Sequence, residues 1–197
     1  MTGVLQAAVA VVGSALLVWG AVSDAKWRKI PVVAGFGMLG LGLIVLVAEG
    51  LYIWAAYYLV AIWSTRGGIW RYVLAGASLV MVVVAGWEAV PLVVGVLLVA
   101  TLFWMKWFGG GDSQLAVGLM GIGHDWLVVG VLFGVTILAA IVLSVRRGGG
   151  VVPAARRLVW VARNLNRPPD EDAIRTPWGI IAAVAGVGYL WLWALVL

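Results

Sequence analysis

Apolar residues fill this chain in long unbroken runs, and polar residues are confined to short punctuations between them. The runs fall near 3–22, 32–49, 50–64, 72–88, 89–107, 126–145 and 178–197. Most approach the roughly 17 to 25 residues that a helix needs to cross a hydrocarbon core. They are continuous rather than alternating with period two, which excludes a membrane β-barrel. A short additional helix is expected over 113–124, while the third and fourth runs allow two elements or one bent, interfacial element. The pattern predicts an all-α fold, a polytopic transmembrane helical bundle with six to eight membrane segments in one domain over 1–197.

Composition strengthens the membrane assignment. Hydrophobic residues are 64% of the chain and charged residues 11%, against about one half and one quarter in soluble domains. The 13 basic and 8 acidic residues give a net charge of +5. The basic residues sit in short loops, so they orient the chain in a lipid bilayer rather than mark a nucleic-acid partner. Walking the runs in turn places Lys26–Lys29, Arg66, Arg71, Lys106 and Arg146-Arg147 on one side, which the positive-inside pattern makes cytoplasmic. Asp24 and Asp112 fall on that side; Glu49, Glu88 and Asp125 fall on the other. Nothing positive precedes the first run, so an outside N-terminus is expected rather than a cleavable signal. Cysteine is absent and His124 is the one histidine. Disulfides, thiolate nucleophiles and multi-histidine metal sites are therefore excluded, and no metal or other cofactor is expected.

The sizeable polar segment is 146–176. Within it, Ala154, Leu158, Val161 and Leu165 keep helical spacing beside Arg156, Arg157, Arg163 and Arg167. A basic amphipathic helix over 153–167, lying in the cytoplasmic headgroup layer, is expected. Lipid anchoring and orientation are preferred for it over substrate binding. Pro168-Pro169 ends that helix, and Asp170-Glu171-Asp172 follows as a solvated loop. Gly35, Gly37, Gly40 and Gly42 are read as close helix packing.

Two short stretches carry the candidate chemistry: Ser23-Asp24 leading through Lys26, Arg28 and Lys29 to Ile30-Pro31, and Gly109-Gly110-Gly111-Asp112. Each sets an aspartate at the end of an apolar run, where an ionisable side chain is expensive and marks a functional candidate. Two close carboxylates sharing a proton can hydrolyse a peptide bond, one as base and one as acid. The three glycines let an extended strand lie close to the chain just before Asp112. At the start of a helix, Asp112 is also favoured by the free N–H groups and the dipole. Its plain alternative is a helix cap, and that of Asp24 is an interfacial charge.

These motifs resemble the type IV prepilin peptidase family, the Gly-x-Gly-Asp aspartyl proteases of bacteria and archaea. That family pairs an Asp, followed by a basic stretch and Ile-Pro-Asn, with a second Asp in Gly-x-Gly-Asp. Thr176-Pro177-Trp178-Gly179 is similar to its Pro-Tyr-Gly near the C-terminus. The resemblance implies Asp24 and Asp112 as the catalytic pair. Gly109, Gly110, Gly111, Ile30, Pro31, Gln114 and Lys106 are the substrate-binding or supporting candidates. Val32 stands where the family usually has Asn, and Gln114 where it usually has Lys; Lys106 is then the nearby candidate for a positive charge. The implied activity is removal of a short basic leader from prepilin-like membrane substrates (pilins, pseudopilins or archaeal flagellins) at the cytoplasmic face. Larger relatives also N-methylate the product through an added cysteine-rich segment, so cleavage alone is expected here. A cation- or proton-coupled transporter or channel, or a non-catalytic pilus-assembly protein, is the alternative.

Overall fold

The computed structural model describes residues 3–27, 29–64, 68–104, 109–148 and 178–196; at 139–140, 143–148 and 178 it describes the backbone alone. Those residues form eight α-helices and no strand. They are α1 (Gly3–Trp27), α2 (Val32–Ala48), α3 (Tyr52–Ser64), α4 (Trp70–Ala85), α5 (Val90–Trp104), α6 (Gly110–Gly123), α7 (Trp126–Gly148) and α8 (Trp178–Val196). A single 3-10 turn, Trp87–Ala89, leads into α5. Lys106 and the segment 153–167 lie outside the described residues, as do Pro168-Pro169, the acidic run after them and Thr176-Pro177.

Three stretches are long and apolar enough to cross a membrane: Gly3–Trp27, Trp87–Trp104 and Gly179–Val196. Val32–Ala48, Tyr52–Ser64, Trp70–Ala85 and Trp126–Leu138 are apolar but shorter. Val4, Leu79, Val83, Val184 and Leu195 stand more than two-thirds exposed on the outside of the bundle. Water does not tolerate such a surface over a whole fold, whereas lipid does.

Several boundaries differ from those expected. α1 continues five residues beyond 22, where Lys26 suits the negative end of the helix dipole, and this brings Asp24 inside the helix. α3 and α4 are separate elements, 13 and 16 residues long. α4 stops at Ala85 because Gly86 takes φ 72°, a left-handed conformation that glycine adopts without strain. α6 starts at Gly110 rather than 113, with Gly109 in an extended N-cap conformation. α7 runs on through Arg146 and Arg147 to Gly148, so the segment expected as a loop from 146 begins as helix.

Two seams organise the bundle: α1 packs along α8, and α2 along α6. Both depend on small residues. Leu190 covers Gly13, and Leu17 and Leu119 cover Gly186. On the other seam the α6 backbone at Gly118 touches the backbone of Met38, and Tyr58 of α3 is wedged, fully buried, against Gly42 and Gly121. Of the expected packing glycines, Gly35, Gly37 and Gly42 sit at contacts and Gly40 faces open space. α3 and α4 are tied by Tyr57 Oη and Ser78 Oγ at 3.0 Å. The Trp104 indole N–H donates to the Ser64 carbonyl at 3.3 Å and joins α5 to α3.

Candidate active site

α6 sits between the two ends of the fold and connects them. It has 14 residues, roughly 21 Å at 1.5 Å per residue, which is well short of a hydrocarbon core of about 30 Å. By length alone α6 does not cross such a core, and its N-terminus carries the glycine run.

At that end stand Asp24, Asp112, Ile30 and Gly179. Asp24 is in the last turn of α1, 9% exposed, and its Oδ2 accepts the backbone N–H of Gly179 at 3.0 Å. Asp112 is the third residue of α6, and its Oδ2 accepts the N–H of Gly109 at 3.1 Å. Ile30 bridges the two segments: it packs on Gly111, beside Asp112, and lies 3.7 Å from a Cβ built at Gly20, one helical turn before Asp24, so both carboxylates stand at the same end of the bundle. Asp112 also caps its own helix through Gly109, the local role that any carboxylate can play at this position. That bond reaches back from the carboxylate to the glycine N–H; Gly109 has no side chain to return it.

The connection between α1 and α2 is held against this end. Ser23 Oγ donates to the Lys29 carbonyl at 2.7 Å. The Pro31 carbonyl accepts the N–H groups of Ala34 and Gly35 and starts α2. Ile30 points inward onto Gly111, where an added Cβ would lie 2.6 Å from Ile30 Cβ. Gly110 meets nothing within 4 Å. Gly111 is thus a packing glycine, and Gly109 and Gly110 are the exposed part of the run. Gly111→Ala should lower stability by about 1–3 kcal/mol through overpacking, and Gly110→Ala should change it by less than about 0.5 kcal/mol. Thermal unfolding of both variants in micelles checks this difference.

Gln114 lies two residues past Asp112 and packs across the backbone of Gly35 on α2. Together with Ser113, Phe36, Leu39, Ile62 and Trp63 it lines a recess of about 220 Å³ among α2, α3 and α6. The recess begins at the residue that follows Asp112, and its walls are mainly apolar. Lys106, the candidate positive charge, is outside the described residues.

Glu49, His124, Asp125 and Tyr189 gather at the opposite end. His124 Nε2 is 3.4 Å from Glu49 Oε2, and the Trp54 ring meets the imidazole edge-on. Tyr189 Oη donates to Asp125 Oδ2 at 3.3 Å, while Asp125 Oδ1 caps α7 through the N–H of Val128. Asp24 and Asp112 thus stand at one end of the bundle, and Glu49 and Asp125 at the other. Among the described residues no group of three or more His, Cys, Asp or Glu side chains could hold a metal ion.

Position 179 was not among the expected site residues. Its signal was the motif ending in Trp178-Gly179, but a bond made through a backbone N–H leaves no mark of its partner in sequence. Comparison with family models, with curated proteins and with solved structures finds no match to this chain.

Proposed function

We propose that the chain is a membrane aspartyl endopeptidase that removes short basic leaders from prepilin-like precursors at the cytoplasmic membrane interface. One observation carries the reading: Asp24 and Asp112, far apart in sequence, stand at one end of the bundle, where Ile30 packs on Gly111 beside Asp112 and near Gly20 of the Asp24 helix. The resemblance of both motifs to the prepilin peptidases supplies the substrate class.

The chemistry follows from two carboxyls holding one proton between them. The ionised carboxylate takes a proton from a water whose oxygen bonds to the scissile carbonyl carbon. The protonated partner gives its proton to the leaving nitrogen as the C–N bond breaks. One proton remains on the pair, now on the other residue, and the products are a carboxyl-ended leader and a free amine. Such a pair titrates as a unit, and activity belongs to the singly protonated form.

The recess beside Ser113 and Gln114 suits an apolar side chain of the substrate on the membrane side of the cut. Phe36→Ala removes one wall of it. KM should rise about fivefold, equivalent to about 1 kcal/mol, with kcat unchanged, in steady-state kinetics on a reconstituted precursor.

A transport role is disfavoured by position. Asp24 lies three residues from the end of α1 and Asp112 is the third residue of α6, whereas transport sites gather near the bilayer midplane. The reading is tested by presenting vesicles with a precursor that has a basic leader and an apolar helix. Mass spectrometry should find one cut at the interface; an uncut precursor beside a folded enzyme rejects the assignment.

A further inference from the structure

We infer that Gly179 is a positioning residue for Asp24, so that the N-terminus of α8 completes the candidate active site; this rests on the aspartyl-peptidase reading. The first four N–H groups of any α-helix have no partner within the helix. Gly179 is the second residue of α8, and its N–H is given to Asp24 Oδ2 at 3.0 Å, across 155 positions of sequence. The donor belongs to the backbone, so it holds the carboxylate in a fixed orientation without a side-chain rotor of its own. The positive end of the helix dipole adds to the attraction.

The residue type at 179 is set by the same contact. A Cβ there would lie 2.9 Å from Asp24 Cβ and 3.1 Å from Oδ2. The helix could then come no closer, and the N–H would be withdrawn from the carboxylate. Gly188, on the same helix, meets nothing within 4 Å and tolerates a methyl. The arrangement is matched on the partner carboxyl: Gly109 donates its N–H to Asp112 Oδ2. Each aspartate is thus steered through Oδ2 by a glycine N–H. Catalytic geometry is sensitive to displacements of this size, and a misplacement of about 1 Å costs on the order of 10²-fold in rate. None of the residues that line the recess takes part in the Gly179–Asp24 bond, so the loss should fall on kcat.

The test compares wild type, Gly179→Ala and Gly188→Ala in nanodiscs. It also includes a backbone ester at 179, made with glycolic acid, which deletes the N–H and adds no bulk. Cleavage of a reconstituted precursor gives kcat and KM. Carbodiimide labelling, mapped by mass spectrometry, gives the reactivity of Asp24 relative to Asp125 at the opposite end. Gly179→Ala and the ester should lower kcat at least tenfold with KM within twofold, and should raise Asp24 labelling at least fivefold. Gly188→Ala should match wild type on all readings. Wild-type kcat and wild-type Asp24 labelling in the folded ester variant would overturn the inference. A wild type that fails to cleave rejects the peptidase reading instead, and the labelling arm still decides whether Gly179 positions Asp24.

Discussion

Asp24→Asn and Asp112→Asn are each expected to lower the rate of leader cleavage by at least about 10³-fold while leaving the bundle folded. Acid–base catalysis by a placed side chain contributes about 10²–10⁴-fold, and here every turnover needs both residues, one as base and the other as acid. Asparagine is the informative replacement because it keeps the structural duties of both positions. Its side-chain oxygen can still accept the N–H of Gly179 at position 24 and of Gly109 at position 112. What it loses is the exchangeable proton and the charge. A purely structural role, Asp24 as a remote cap for α8 and Asp112 as the cap of α6, therefore predicts near-normal behaviour for both variants. Glu88→Gln, on an exposed side chain of the 3-10 turn, should cleave at the wild-type rate. Initial rates on a vesicle-borne precursor, with thermal unfolding measured alongside, separate the two accounts.

The largest effect on stability is expected from Gly118→Val. A Cβ at 118 would stand 2.7 Å from the backbone carbon and 2.8 Å from the backbone oxygen of Met38. A flexible side chain could swing away from such a contact, but a helix backbone cannot. α2 and α6 would have to separate, and the fully buried Tyr58 beside Gly42 and Gly121 would lose its socket. Overpacking commonly costs about 1–3 kcal/mol, occasionally more, and a contact limited by backbone belongs at or above the upper end. α6 carries Asp112, so activity should fall with stability. Gly40→Ala lies on α2 facing open space, and replacing an open helical glycine should be neutral or stabilising by up to about 1 kcal/mol. Unfolding of the two variants in mixed micelles should differ by several kcal/mol; equal midpoints would mean that the α2–α6 seam is looser than these contacts require.

Much of the helical order was legible because long apolar runs leave the backbone one way to satisfy its polar groups in lipid. The ends were less so. α1 runs past the end of its apolar run at 22, because the chain carries Asp24 and Lys26 in its last turn. α6 starts earlier than 113: glycine is a poor helix former, yet Gly110 and Gly111 form its first turn after the extended Gly109. Charge alternation groups Asp24 with Asp112 and Glu49 with Asp125 along the chain, without naming the residues that each carboxylate touches. The particular contacts were not legible. Gly118 on Met38 and Gly179 on Asp24 are approaches of backbone to a distant segment, and nothing local encodes a partner. Ile30 and Gly111 each stood out in a separate motif, but only the folded chain sets one against the other.

Leader cleavage by wild type, Asp24→Asn, Asp112→Asn and the double variant, on one reconstituted precursor, tests the central claim most directly. If the two aspartates act as a single proton-sharing unit, the three variants should share one residual rate, at least about 10³-fold below wild type, because groups that act together are not additive. A single variant that retains a tenth or more of the wild-type rate, or a double variant whose loss is the product of two smaller ones, would contradict it.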